Sequence, residues 1–185
     1  MKTTTEDKIK NVFKDSWKVF SNQFVVLILG TLVALILMIF IVTIPPLIYG
    51  LYYLTFQAIK GKKAKVSDIF EGFNYFFRSW GIVLLMAIGV LIGLVLLIIP
   101  GLLLMALWQF SIAIMVSEKK GITDSLKKSF DIAKKNMAFS IVFLIIVTII
   151  GFLGGLTKVG TIITMPFTTV ATCIATMALI KGKKK

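Results

Sequence analysis

The sequence has no histidine and only one cysteine, Cys173, among its 185 residues. The absence of histidine excludes imidazole as a general base, a proton shuttle or a zinc ligand. A single cysteine cannot form a disulfide within the chain, so Cys173 is expected to be a small buried apolar residue. Much of the chemistry on which enzymes commonly depend is therefore missing.

Charged residues are also scarce: they make up 16% of the chain, and the hydrophobic class makes up 58%, whereas soluble domains carry about 25% charged residues. Phe24–Ile59 and Gly81–Ser117 contain no charged residue over 36 and 37 positions, and Ala138–Thr157 contains none over 20. Because about 20 helical residues cross a hydrocarbon core about 30 Å thick, the sequence predicts an integral membrane protein. The two longer runs suffice for two passes each.

The chain has only four prolines, and their positions predict turns between membrane passes. Proline cannot donate a backbone hydrogen bond, disfavours helix in the preceding residue and suits the first turn of a new helix. We therefore expect hairpin turns at Pro45 and Pro46, at Pro100 with Gly101, and at Pro166. The alternative is that each long run forms one kinked span with re-entrant ends.

The order of features predicts three pseudo-repeats, at about residues 5–63, 64–120 and 121–185 of a single membrane domain. Each unit opens with a basic amphipathic segment, continues through an apolar stretch and a proline, and ends at a second basic cluster. The expected fold is an all-α bundle of six transmembrane helices in three proline-turn hairpins, each preceded by an amphipathic cytoplasmic helix. The second helix of each hairpin is expected to be short, so snorkelling lysines, local thinning of the bilayer or packing inside the bundle must compensate.

The positions of the charges predict the orientation. In the six-span arrangement, 20 of the 21 lysines and arginines and all eight acidic residues fall on one side, and Lys158 in the third turn is the exception. Since cytoplasmic loops carry an excess of lysine and arginine, we expect a multi-pass protein of the cell (plasma) membrane with both termini in the cytoplasm.

The three basic amphipathic segments have the pattern of helices that lie at the lipid headgroup boundary. The third segment carries its lysines opposite an apolar stripe, which makes them candidates for anionic lipid headgroups: Lys127, Lys128, Lys134 and Lys135. The alternative is that these helices only anchor the spans that follow them. Nucleic acid is not an expected partner, because the lysines flank apolar runs instead of lining an aromatic groove.

The expected spans contain no charged residue, and Gln109 is the one long polar side chain in the middle of a span. Gln109 is therefore the candidate for a buried functional contact, although polar groups at this depth more often join helices. The sequence shows no acid–base constellation, glycine-rich phosphate loop or cluster of metal ligands. We expect neither enzymatic activity nor a cofactor.

Three stretches carry a resemblance to a known group: PPLIYGLYY followed by AIKGKKAKVSDIFEGF, IIPGLLLMALWQFSIAIMVSE, and GITDSLKKSFDIAKKN. They resemble prokaryotic multi-span membrane proteins that include the membrane-domain region attached to some glycerophosphoryl diester phosphodiesterases. The resemblance covers Pro45 to Lys135 best. It implies a helical bundle with no established activity and a lipid-related role. The phosphodiesterase activity does not carry over, because the chain has no room for that domain.

These observations leave three hypotheses about function. The first is a non-enzymatic membrane protein that supports lipid or envelope homeostasis, or scaffolds partners, through its cytoplasmic helices. The second is a small transporter or channel for apolar or amphiphilic solutes. The third is an immunity or accessory subunit of a membrane complex. The expected partners are the lipid bilayer, with anionic lipids in particular, and a protein partner or further copies of the chain.

Overall fold

A computed structural model describes residues 4–157 and 159–182; Lys2, Lys158 and Lys183 to Lys185, which entered the orientation argument, lie outside this range. The described part is all-helical, with 88% of its residues in helices and no strands. The α-helices are α1 Thr5–Asn22, α2 Phe24–Leu37, α3 Ile44–Ile59, α4 Phe76–Leu96, α5 Ile98–Trp108, α6 Ser111–Glu118, α7 Ile122–Lys135, α8 Met137–Gly155 and α9 Gly160–Gly182, and 3-10 segments cover Ile41–Thr43 and Val66–Tyr75.

Four segments of the described chain are long and apolar enough to cross a membrane: Val66–Val95, Ile98–Glu118, Met137–Gly155 and Gly160–Gly182. A fifth is added if α1 and α2, which meet at an angle of 87°, count as one broken span. The helices α2 and α3 have 14 and 16 residues. At 1.5 Å per residue each is about 21 to 24 Å long, shorter than a hydrocarbon core. The sequence predicted that α2 and α3 are two of six spans. Their shortness explains why fewer than six segments are long enough to cross a membrane.

The start of α1 is fixed by a reciprocal cap. The Thr4 hydroxyl accepts a hydrogen bond from the Asp7 amide at 3.3 Å, and the Asp7 carboxylate accepts one from the Thr4 amide at 3.1 Å. Such a capping box satisfies donors that the first helical turn leaves free. The hydrogen bonds from Thr4 also lower the pKa of Asp7.

The prolines mark helix starts in two of the three predicted turns. Pro45 and Pro46 lie in the first turn of α3. Pro100 and Gly101 lie in the first turn of α5, and the break from α4 is at the preceding Leu97. A Cβ atom on Gly93 would come within 2.9 Å of the Gly101 Cα, so α4 and α5 approach closely just beyond this break.

The hairpin turn predicted at Pro166 is wrong, because Pro166 lies inside α9. The chain turns earlier, before Gly160, whose amide donates to the Thr157 hydroxyl at 3.1 Å. A Cβ atom at Gly160 would lie 2.6 Å from the Gly154 carbonyl oxygen, so the turn needs glycine there. An internal proline costs the helix one hydrogen bond, which membrane helices tolerate when they are packed against neighbours.

Two glycines allow α3 to cross the 3-10 segment Val66–Tyr75 at backbone contact. A Cβ atom at Gly50 would overlap the Ile69 carbonyl, and one at Gly72 would overlap the Pro46 carbonyl. Ile69 itself is fully buried at this crossing. The contact fixes the position of the loop that joins the first apolar pair of helices to α4.

The helix α9 is central to the bundle, because it packs against α1, α2, α3, α6 and α8. It contributes to each of the three buried apolar clusters: Ala171, Ala175 and Leu179 to the first, Val170 to the second and Cys173 to the third. Cys173 is fully buried, as expected from the sequence. By contrast, only 17% of the most apolar stretch of Val66–Val95 is buried, so α4 exposes most of its surface.

An aromatic cluster attaches the amphipathic helix α1 to α9. The Phe167 ring lies 6.1, 6.2 and 5.7 Å from the rings of Phe13, Trp17 and Phe20, measured between centroids. Trp17 keeps 63% of its surface exposed. An exposed tryptophan on a basic amphipathic helix is typical of the membrane–water interface.

Candidate functional site

The four lysines predicted to contact headgroups lie on α7, and three of them are exposed: Lys127, Lys134 and Lys135. The Lys134 ammonium lies 5.8 Å from the centroid of the Phe130 ring. Lys128 differs, because its ammonium forms an ion pair with Glu118 at the end of α6, and only 19% of its side chain is exposed. The structure therefore brings Lys128 to a carboxylate within the protein and leaves the other three accessible.

The opposite face of α7 is fixed to α5 and α6. The buried Ser129 hydroxyl donates to the Leu107 carbonyl of α5 at 2.7 Å. Lys120 adds a second cation to Glu118 at 3.4 Å. The contacts of Ser129 and Lys128 hold α7 with its polar face outward, so Lys127 and Lys134 are exposed together.

Gln109 lies in the break between α5 and α6 and joins two helices. Its side-chain amide donates to the Ala106 carbonyl at 2.8 Å and to the Ser140 carbonyl of α8 at 2.9 Å. It lines neither of the two cavities described below. Gln109 therefore connects α5 to α8.

We expect Gln109→Leu to lower the melting temperature by about 2–4 °C, because a polar contact between membrane helices contributes about 1 kcal/mol. Gln57→Leu is the matched control, since the Gln57 Oε1 is buried and has no hydrogen-bond partner among the described residues. Its replacement removes an unsatisfied polar atom, so the melting temperature should stay unchanged or rise. Equal losses in both variants, measured by thermal unfolding in detergent, would contradict this assignment for Gln109.

A cavity of the described structure, which we call the α1/α9 cavity, has a volume of about 610 Å³. It lies between the first half of α1, the α7–α8 junction and the last turns of α9. Its polar lining consists of Lys8, Asn11, Asp15, Lys135 and Asn136. Its apolar lining consists of Val12, Ile132, Phe139, Ile174, Ala178 and Leu179. Volumes of about 300–1,000 Å³ are usual for small-molecule sites.

Asn136 positions Lys8, which lines the α1/α9 cavity. It interrupts the helix between α7 and α8, and its side-chain amide donates to the Ile132 carbonyl at 3.0 Å. Its side-chain oxygen accepts a hydrogen bond from the Lys8 ammonium at 3.1 Å. A lysine ammonium has three donors, and the contacts of the described residues use one of the three on Lys8, which leaves two for a ligand.

A second, smaller cavity of about 350 Å³ lies between the end of α1 and the end of α3. Asp15 belongs to both cavities, and Lys18 adds a cation to the second. Both cavities lie where the helices carry their charged residues. Neither therefore provides a path through the apolar middle of the bundle.

Lys135 is a headgroup candidate from the sequence and also lines the α1/α9 cavity, whereas Lys8 and Asn136 were not among the candidates. Lys8 and Asn136 are 128 positions apart, and periodicity along a helix relates only residues a few positions apart. The amphipathic character of α1 and α7 was the available signal, but it does not show that the two helices meet. Within the described residues, no group of three or more His, Cys, Asp or Glu side chains is placed to hold a metal ion.

The number of apolar helices defines the class of this protein. With four to five helices that are long and apolar enough to cross a bilayer, it is a multi-pass α-helical membrane protein. No protein-family model, curated protein or solved structure matches the chain. Functional inference therefore depends on the geometry of its own residues.

Proposed function

We propose that this chain is a non-enzymatic protein of the plasma membrane that binds anionic lipids through its basic cytoplasmic helices. The observation that carries the proposal is the orientation of α7, which buries one face and exposes on another a row formed by Lys127, Lys134 and Lys135. Lysines near an anionic leaflet each contribute about 1 kcal/mol of attraction. The helix α1 adds exposed Lys10 and Lys14 beside the interfacial Trp17.

The orientation that we propose has six crossings and both termini in the cytoplasm. Its support is the placement of 20 of the 21 lysines and arginines on one side of such a bundle. The short helices α2 and α3 then form one pair of crossings, with the Met38–Thr43 turn at their far end. The bilayer thins around this pair, because each helix is shorter than the usual hydrocarbon core.

The lipid proposal predicts that replacing Lys14, Lys127 and Lys134 by Gln reduces the anionic lipid that co-purifies with the protein by roughly threefold or more. All three lysines are exposed, so the change removes charge without removing a buried contact. The measurement is the ratio of phosphatidylglycerol to phosphatidylethanolamine in protein purified in mild detergent, determined by mass spectrometry.

The matched control replaces the same three lysines by Arg, which keeps the charge and should keep the ratio. High salt should lower the ratio for the wild-type protein, because exposed charges are screened. If the glutamine variant retained as much anionic lipid as the arginine variant, the proposed function would be refuted.

A further inference from the structure

We propose that the α1/α9 cavity is a specific site for one anionic phospholipid, with the phosphate at Lys8 and Lys135 and an acyl chain along α8 and α9. This inference rests on the proposed function and deepens it, because it distinguishes one defined lipid from the lipids attracted to the exposed helix faces.

The polar lining of the cavity has an excess of positive charge. Two ammonium groups, on Lys8 and Lys135, face it together with one carboxylate, on Asp15. Phosphate oxygens accept strong hydrogen bonds from ammonium groups, and Lys8 is already held in place by Asn136. Basic pockets between helices at the cytoplasmic surface are suited to phospholipid headgroups.

The apolar lining of the cavity is suited to an acyl chain. Phe139, Ile174 and Leu179 present hydrocarbon to the cavity, and Phe139 and Leu179 belong to the buried cluster behind it. Ala178 is exposed and also lines the cavity, so its small side chain leaves open space along α9. The cavity is thus lined by both charged and apolar side chains, as a site for an amphiphile requires.

The position along the helices matches the boundary between headgroups and acyl chains. The lining residues of α9 lie in its last turns, on either side of the exposed Lys181. The lining residues of α7 and α8 lie on either side of Asn136, where a basic helix gives way to an apolar one. A lipid of the cytoplasmic leaflet would reach this level without leaving the bilayer.

Native mass spectrometry of the full chain in detergent, titrated with phosphatidylglycerol, tests the proposal. We expect one tightly retained lipid in the wild-type protein. The Lys8→Gln and Lys135→Gln double variant should bind it about 30-fold more weakly, since two cations are lost. The corresponding double arginine variant should bind within about threefold of wild type.

Two further variants change the cavity in opposite directions. Ala178→Trp fills the apolar side and should abolish the single bound lipid, and thermal unfolding shows whether this variant is folded. Asp15→Asn removes the carboxylate and should tighten binding about fivefold, a gain that a misfolded variant cannot produce. Phosphatidylethanolamine and inorganic phosphate are the comparison ligands, and both should bind at least tenfold more weakly than phosphatidylglycerol.

The outcomes separate this proposal from the lipid-binding function as a whole. A Lys127→Gln and Lys134→Gln variant should lose total anionic lipid but keep the single tight lipid. If the cavity variants bound phosphatidylglycerol like wild type, the specific site would be disproved even where total retention still fell. Equal binding of phosphatidylethanolamine would also overturn it. If inorganic phosphate bound as tightly as phosphatidylglycerol, the acyl chain would contribute nothing to binding, and the assignment to a lipid would be overturned.

Discussion

Replacing Gly50 or Gly72 by Ala should lower the stability of the folded protein by about 3 kcal/mol, near the upper end of the usual cost of overpacking. The added Cβ atom would overlap the Ile69 carbonyl in the first case and the Pro46 carbonyl in the second. A backbone carbonyl cannot rotate away as a flexible side chain can, so α3 and the 3-10 segment would have to separate. The expected fall in melting temperature is about 6–12 °C for a chain of this size.

Gly151→Ala and Gly155→Ala provide the matched controls. Both glycines lie in α8, and a Cβ atom there would meet nothing within 4 Å. Alanine favours helix more than glycine does, so these variants should melt at the wild-type temperature or slightly above it. Thermal unfolding in detergent, followed by circular dichroism, gives the comparison. If Gly50→Ala and Gly72→Ala melted with the controls, the backbone crossing would be incorrect.

Cysteine labelling in intact cells should show an almost complete difference between the two sides of the proposed bundle. Cys173 is buried and is first replaced by Ala, so that each reporter cysteine is the only one. Reporters at Lys62 and Lys119 should be protected from a membrane-impermeant maleimide and should react after permeabilisation. Reporters at Phe40 and Thr157, in the α2–α3 and α8–α9 turns, should react without permeabilisation.

The same experiment distinguishes six crossings from the alternatives. If α2 and α3 formed a re-entrant pair that entered and left on the cytoplasmic side, Phe40 would stay protected while Thr157 still reacted. If α1 and α2 formed one broken span without a return through α3, reporters at Lys62 and Lys119 would both react without permeabilisation, and the reporter at Thr157 would be protected. That last result would overturn the proposed orientation.

Local sequence patterns predicted the parts of the fold that depend on local physics. The charge-free runs indicated the apolar helices, and the basic amphipathic pattern indicated α1 and α7, because burial of one helix face produces a periodicity that a sequence displays. The segment Val66–Tyr75 was also expected to be an amphipathic helix, but it winds as a 3-10 segment. It crosses α3 at Gly50 and Gly72, a contact that no pattern within the segment reveals.

Pro166 shows the limit of an argument by analogy between units. The repeat pattern predicted a turn followed by a new helix at the proline of each unit. Pro45 and Pro100 do lie in the first turn of a helix, whereas Pro166 lies inside one. The α8–α9 turn is instead fixed by Gly160, whose backbone approaches Gly154. The close approach of two backbones depends on how the helices pack, and the type of a single residue does not predict it. The α1/α9 cavity was beyond prediction for the same reason, because it depends on Lys8 meeting Asn136.

The central place of α9 has a consequence for biogenesis. It follows all the other described helices along the chain, yet α1, α2, α3 and α8 all pack against it. The ribosome therefore delivers these helices to the membrane before the surface that joins them exists. Until α9 is inserted, the helix faces that it covers must stay exposed, a state that quality-control proteases and insertion factors can recognise.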